Sequence, residues 1–253
     1  MQSNIISFIL RINFLILSLL FFVNPVDASV TLLGTRVIYP AEMKSVDVQL
    51  KNKDNIPYVI QTWFDDGNPN SKPEDITATP FISTPPVFRI QPQSGQVVRI
   101  IIKDKNSLPQ DRESVFWFNV LQIPPSIMDD ISSKNSMMIM LRNRLKIFYR
   151  PVAIGRPDNI FKGLAVKQVF DSRNGIGLEI NNSQPWNVSL VNLSLKTTGK
   201  VFRSQGEMLA PFSRKTFWFK NSKNISKSAG AATLTVINDQ GATINESYRV
   251  NAQ

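Results

Sequence analysis

Short runs of alternating apolar and polar residues restrict the fold of this chain more than any other feature of its sequence. Val46, Val48 and Leu50 alternate with polar neighbours. Tyr58–Phe64 forms a second run, which ends at the turn-forming segment Asp-Asp-Gly-Asn-Pro of residues 65–69. A period of two residues is typical of strands that bury one face, whereas a helix needs a period of about 3.6 residues. The sequence therefore predicts an all-β protein.

The first part of the chain carries enough strands for one complete sandwich. Seven runs at short intervals are the pattern of an immunoglobulin-like β-sandwich, here without a disulfide because the chain has no cysteine. The predicted strands cover residues 32–39, 46–51, 58–64, 87–90, 97–102, 114–123 and 137–148.

A second series of strands follows a short connection. Tyr149-Arg150-Pro151 closes the first series, and Gly155-Arg156-Pro157 predicts a fairly stiff link. The second series is more polar and predicts a smaller β-sandwich, so we place the domains at residues 29–152 and 153–253. Its strands are predicted at residues 164–170, 176–180, 188–195, 216–219, 232–237 and 243–250.

The first 28 residues have the pattern of a secretory signal peptide. Arg11 precedes the apolar stretch Phe14–Val23, and the small residues that a signal peptidase needs follow in Val26-Asp27-Ala28. The stretch is short for a membrane span, so we expect cleavage before Ser29 and export; an uncleaved anchor is the alternative.

Composition excludes most kinds of catalysis. The chain has neither His nor Cys, which removes imidazole bases, thiolate nucleophiles and nearly all zinc sites. No Gly-x-Ser-x-Gly and no phosphate-binding Gly-Lys loop occurs. We therefore expect no enzyme, no catalytic residues, no cofactor and no metal. The formal net charge of +10 suits an acidic partner, but the cations are scattered, so nucleic-acid binding is only an alternative.

Two segments are unusual for an isolated sandwich. Leu108–Pro125 is a charged turn that leads into a strand stopped by a double proline. Met137–Leu141 is apolar at every position, whereas a sandwich strand buries one face. The second face needs a cover, which is either a partner protein or another part of the chain.

Four segments together resemble the periplasmic chaperones of the chaperone/usher pathway, which assemble bacterial pili. The similarity spans the whole mature chain, and the short link between Pro125 and Met137 resembles the short-loop group. The ordered match over Leu108–Pro125 is the most specific part. The matching segments are Thr35–Tyr39, Thr84–Pro86, Leu108–Pro125 and Lys146–Pro151.

The resemblance implies two immunoglobulin-like domains in a boomerang arrangement, working in the periplasm. It implies that the chain binds pilus subunits by donor-strand complementation and delivers them to an outer-membrane usher, without stable membrane insertion. The inserted side chains would be Met137, Ile139 and Leu141. Self-association of the free protein through the same strand is a further expectation.

The resemblance also assigns two sets of charged residues. Arg36 and Lys146 match the anchor for the C-terminal carboxylate of the subunit. Glu113, Arg150 and Asp239 match an ion network between the domains. The pairs Asp65-Asp66 and Asp129-Asp130 lie in turn-like contexts, and we assign them no role.

Two other functions are alternatives, and features of the sequence argue against both. A structural pilus subunit would lack its own last strand, yet the first domain shows seven runs. A secreted immunoglobulin-like adhesion module would normally carry cysteines on opposing strands, and the chain has none.

Overall fold

Two β-sandwiches follow one another along the chain in the computed structural model, which describes residues 29–75, 79–125, 138–222 and 228–251. The predicted all-β class is confirmed. Within these ranges, the first sandwich contains nine strands: β1 (Val30–Leu32), β2 (Arg36–Pro40), β3 (Val46–Asn52), β4 (Tyr58–Asp65), β5 (Phe81–Thr84), β6 (Val87–Ile90), β7 (Gly95–Ile102), β8 (Ser114–Ile123) and β9 (Leu141–Arg150).

The first sandwich consists of two sheets that bury one apolar layer between them. One sheet has the strand order β1-β3-β7-β5, and the other has the order β2-β9-β8-β4-β6. All neighbours are antiparallel except β2 and β9, which run parallel. Tyr39 and Tyr149, on β2 and β9, are fully buried in this layer with ring centroids 6.2 Å apart.

The segment 32–39, predicted as one strand, is two strands in different sheets. β1 ends at Leu32 and pairs with β3, while β2 begins at Arg36 and pairs with β9. Between them Gly34 has a φ of 97°, which side chains disfavour. This glycine lets the chain leave one sheet and enter the other. The predicted count of seven also omitted β5, a four-residue strand bounded by Pro80 and Pro85.

The last strand of the first sandwich starts later than predicted. We expected it to begin at Met137, but β9 begins at Leu141, and residues 138–140 are not in a strand. Met137 lies outside the described residues. The apolar pattern begins before β9, at residues 138–140, which have no partner strand in the described part of the chain.

The described residues of the second sandwich form eight strands, in a three-stranded and a five-stranded sheet. The strand orders are β10-β11-β15 and β13-β12-β16-β17, with β14 beside β12. The strands are β10 (Leu164–Asp171), β11 (Gly175–Asn182), β12 (Val188–Thr197), β13 (Lys200–Gln205), β14 (Met208–Leu209), β15 (Ser213–Trp218), β16 (Gly230–Ile237) and β17 (Thr243–Val250).

Two strands of this sandwich were not predicted. β13 is partly or fully exposed along its length, and β14 has two residues, so neither shows a clear hydrophobic alternation. A 3₁₀ turn at Val152–Ile154 begins the link between the sandwiches. Within the described ranges, no helix is long and apolar enough to cross a membrane.

Candidate functional site

Half of β9 has an open backbone edge. On one side, Leu141–Tyr149 pairs residue by residue with β8. On the other side, β2 pairs only with residues 146–150. Among the residues that the structure describes, no strand pairs with this second edge along Leu141–Leu145. Unpaired strand edges are the places where another chain adds a strand.

The side chains around the start of β9 are exposed although they are apolar. The exposed fractions are 74% for Ile139 and 50% for Leu141, and Met138 and Met140 are each at least half exposed. The described part of the chain therefore does not provide the second cover that the sequence pattern requires. Of the three residues predicted to be inserted, Ile139 and Leu141 are presented to solvent, and Met137 falls outside the description.

Of the exposed residues, Leu141 lies on the core-facing side of β9, and Ile139 precedes it by two residues. Ile139 and Leu141 share their parity with Ile147 and Tyr149, which belong to the first core. Successive side chains on a strand point to opposite faces, so residues two apart share a face. A partner placed at the open edge would meet the exposed Leu141 on this face, separated by Asn143 from the buried Leu145.

The predicted anchor cations lie where the open edge ends. Arg36 is the first residue of β2 and is the register partner of Lys146 on β9. The Arg36 guanidinium lies 5.5 Å from the centre of the Phe148 ring. Its Nη1 donates to the carbonyl oxygen of Ile237 at 3.1 Å and to Ser189 Oγ at 3.3 Å, both in the second sandwich. The second domain thus helps to fix the first cation.

Neither anchor cation is directly paired with an acidic side chain in the part of the chain that the structure describes. Among the same residues, the buried Nε of Arg36 has no hydrogen-bond acceptor. Burial lowers the pKa of Lys146, and the nearby positive charges of Arg36 and Arg144 lower it further. Burial also lowers the pKa of Arg36, although Asp239 and Glu113 partly oppose this effect. Two adjacent, partly desolvated cations are suited to hold an anion.

Glu113, Arg150 and Asp239 are brought together between the sandwiches. Arg150 Nη2 donates to Glu113 Oε1 at 2.8 Å, and Nη1 donates to Asp239 Oδ2 at 2.7 Å. The other oxygen of Glu113 accepts from the backbone and side-chain nitrogens of Asn187, each at 3.0 Å. Burial alone would lower the pKa of Arg150, but Asp239 and Glu113 raise it. The network links β8 and β9 to the second sandwich.

A cleft between the sandwiches begins beside these residues. It encloses a cavity of about 740 Å³, lined by Arg36 and Phe148 from the first sandwich and by Trp186 and Ile237 from the second. Arg150 and Asp239 form part of its wall. The described residues contain no cluster of three or more acidic side chains that could hold a metal ion.

One set of residues was missed by the sequence analysis. Asp65, interpreted as part of a turn, is the last residue of β4, and its side chain is fully buried. It accepts hydrogen bonds from Asn119 on β8 and from Arg144 on β9. These three residues are far apart in the sequence, and only the order of the strands brings them together. Asp129 and Asp130 lie outside the described residues.

Comparison with known proteins agrees with this geometry. Residues 29–155 match the family model of the pili and flagellar-assembly chaperone PapD N-terminal domain, and residues 164–248 match that of the pili assembly chaperone PapD C-terminal domain. The chain is 37% identical to the probable fimbrial chaperone YadV of Escherichia coli K12 over 226 residues, which cover 88% of this chain and 90% of YadV.

Two further similarities point the same way. The chaperone protein HifB of Haemophilus influenzae is 38% identical over 220 residues, which cover 85% of this chain and 86% of HifB. The crystal structure of the YadV chaperone matches with a TM-score of 0.72 at 33% identity. The match covers 88% of this chain and 100% of the YadV chain. The resemblance seen in the sequence is confirmed: the chain belongs to the PapD-like family of pilus-assembly chaperones.

Proposed function

We propose that this protein captures pilus subunits by lending them, as a missing strand, the first half of β9 together with the apolar residues just before it. The open edge at Leu141–Leu145 is the observation that carries this proposal. An incomplete immunoglobulin-like subunit has an apolar groove and unpaired backbone groups of its own. Pairing along this edge would satisfy the backbone groups of both partners.

The exposed apolar side chains supply the second part of the interaction. Ile139 and Leu141 would enter successive pockets of the subunit groove, with Met137 as the preceding residue of the same parity. Burial of each large aliphatic side chain contributes roughly 1.5–3 kcal/mol. Because Ile139 and Leu141 are already exposed in the free protein, their capture does not require the first sandwich to give up its own core.

Arg36 and Lys146 would set the register of the added strand. β2 occupies the edge of β9 from residue 146 onward, so an added strand has to stop at this point. A chain that ends there places its C-terminal carboxylate beside both cations. Charge-assisted hydrogen bonds to that carboxylate would fix the register, and a one-residue slip would turn the wrong face of the strand toward the groove.

Membership of a chaperone family supports the remaining parts of the proposal. The protein performs no catalysis, acts in the periplasm after cleavage of residues 1–28, and passes its subunits to an outer-membrane usher. The same open edge would pair with a second copy when no subunit is present. A role as a structural pilus subunit or an adhesion module is not favoured, because the first sandwich already contains its own last strand, β9.

A peptide that corresponds to the last strand of a pilus subunit tests the proposal. We expect the peptide with a free C-terminal carboxylate to bind this protein, and the same peptide with a C-terminal amide to bind about 10- to 100-fold more weakly. Isothermal titration calorimetry measures both affinities. Equal affinities would contradict the carboxylate anchor, and no binding of either peptide would contradict strand addition.

A further inference from the structure

In the free protein, the first half of β9 has to remain an ordered strand with little support from strand pairing. Only β8 pairs with it along this half, and on its core-facing side Leu141 is half exposed. Disorder in this segment would have to be removed each time a subunit is captured, and that cost in entropy lowers both affinity and rate. A preorganised strand needs contacts on the face that the subunit does not use.

That opposite face carries a group of residues that we call the outer-face cluster. Its members come from three neighbouring strands, β4, β8 and β9, and lie on the side of the sheet that points away from the core. They are Trp63, Asp65, Trp117, Asn119, Arg142 and Arg144.

Asp65 is the centre of the cluster. Its carboxylate is completely buried and accepts from Arg144 Nε at 3.0 Å, from a second nitrogen of the same guanidinium, and from Asn119 Nδ2 at 2.7 Å. The backbone N–H of Gly67 donates to it at 2.8 Å. A carboxylate with this many donors is held in one position.

Arg142 ties the beginning of the strand to the same cluster. Its Nε and Nη2 donate to Asn119 Oδ1 at 3.0 and 2.7 Å, and its Nη1 donates to the carbonyl oxygen of Pro69 at 2.9 Å. The guanidinium of Arg142 lies 4.8 Å from the Trp63 ring centre, and that of Arg144 lies 4.6 Å from the Trp117 ring centre. Both arginines therefore stack as well as donate.

We propose that Asp65 is a positioning residue, which holds β9 ready for capture by fixing Arg144 directly and Arg142 through Asn119. Arg142 and Arg144 are held on the outer face, while Ile139 and Leu141 stay exposed for the subunit. A slip of β9 by one residue would bring Asn143 in place of Arg144 and break the contacts that both arginines make. This inference rests on the proposed function, because it specifies how the lent strand is kept in register.

The variant Asp65→Asn keeps the shape of the side chain and removes its charge. Two measurements are needed: hydrogen exchange at the amides of residues 141–145 in the free protein, and the association rate with a pilus subunit. We expect exchange to become about tenfold faster and association about tenfold slower, the effect of one lost charge-assisted contact.

Two control variants separate positioning from general stability. Asp47→Asn makes the same substitution at an exposed ion pair with Arg99 on the other sheet, and should change neither measurement. Val98→Ala removes a fully buried core contact on β7 and lowers the stability of the same domain. Measured at a temperature where each variant is equally folded, Val98→Ala should capture subunits at the rate of the unmodified protein.

The outcomes distinguish this inference from the proposed function. If the unmodified protein captures no subunit, the proposed function fails, while hydrogen exchange still tests the positioning role. The inference is overturned if Asp65→Asn exchanges and captures like the unmodified protein, or if Val98→Ala slows capture equally at matched folding.

Discussion

At the residue scale, the anchor is a pair of cations, neither of which forms a direct ion pair among the residues that the structure describes. Arg36 and Lys146 are adjacent across β2 and β9, and burial lowers the pKa of both. Placing like charges together in a partly desolvated position costs stability, so their presence indicates a site built for an anion. Each cation should therefore contribute more to capture than to folding.

Loss of either anchor cation should abolish stable subunit complexes. Arg36→Ala and Lys146→Ala each remove a charge-assisted contact of about 1.5–3 kcal/mol and release the register of the added strand. Co-purification with a subunit checks this, with circular dichroism as the test of folding. Lys51→Ala, at an exposed position of β3, is the matched control and should capture normally. Capture by either anchor variant at the level of this control would contradict the assignment.

The lowered pKa of Lys146 gives a prediction for stability against pH. Because its folded pKa lies below the ordinary value of 10.5, the unfolded chain binds more protons between those two values, and stability rises with pH there. Lys146→Met removes the penalty at neutral pH, so it should melt at a higher temperature than the unmodified protein. Thermal melting should show this difference shrinking as the pH approaches 10.5. A difference that is absent, or that grows with pH, would contradict the buried-cation account.

At this scale, the residues of the site could be predicted only from their positions in the motifs that resemble the chaperone family. Resemblance singled out Arg36, Lys146, Glu113, Arg150 and Asp239 among many scattered charges, and the structure places them in two groups. Asp65 was missed, because Asp-Asp-Gly-Asn-Pro predicts a turn and its first residue is the last residue of a strand. No local pattern shows that β8 and β9 will place Asn119 and Arg144 beside it.

At the element scale, the second half of β9 pairs with a strand on both edges, whereas its first half pairs on one edge only. Alternation along the chain predicted most strands, but the split between β1 and β2 depends on a single glycine, and β13 has no buried row to reveal it. The start of β9 was placed too early for a related reason. Residues 138–140 are apolar as a strand would be, but the described part of the chain offers them no partner strand.

Substitutions at two neighbouring residues, whose side chains would point to opposite faces of the lent strand, test the proposed insertion. Ile139→Asp should abolish subunit capture, since an unpaired carboxylate in the groove costs several kcal/mol. It should leave the melting temperature of the free protein unchanged, because this side chain is 74% exposed. Met140→Asp, at an exposed neighbour of opposite parity, should retain capture. Loss of folding in Ile139→Asp, or equal loss of capture in both variants, would contradict the proposed insertion.

At the scale of the whole molecule, the two sandwiches are tied together around Glu113. Its side chain is 1% exposed and joins Arg150 of the first sandwich to Asn187 of the second. Arg36 also donates to the second sandwich, so the angle between the domains and the position of the anchor are coupled. The sequence indicated two domains, but a boundary at residue 152 and a signal peptide of 28 residues remain predictions.

Removal of Glu113 should lower the stability of the protein strongly. Glu113→Ala leaves Arg150 buried with one of its two acidic partners, and breaking a buried pair costs about 3–5 kcal/mol. The melting temperature should fall by roughly 10 °C. Asp111→Ala, which breaks an exposed pair with Arg112 two residues earlier, should melt like the unmodified protein. Equal melting of Glu113→Ala and Asp111→Ala would show that the network does not hold the domains.

The central claim, that β9 is lent to a pilus subunit, is tested most directly by the accessibility of a single introduced thiol. The chain has no cysteine of its own, so Ile139→Cys and Met43→Cys each carry one reactive group. Both positions are exposed in the free protein, and Met43 lies beyond the far end of β2. Mass spectrometry after alkylation measures the modified fraction of this chain, alone and in complex with a subunit. We predict that the Ile139→Cys thiol reacts in the free protein and is protected in the complex, while Met43→Cys reacts in both. An Ile139→Cys thiol that reacts equally in both states would contradict the donated strand.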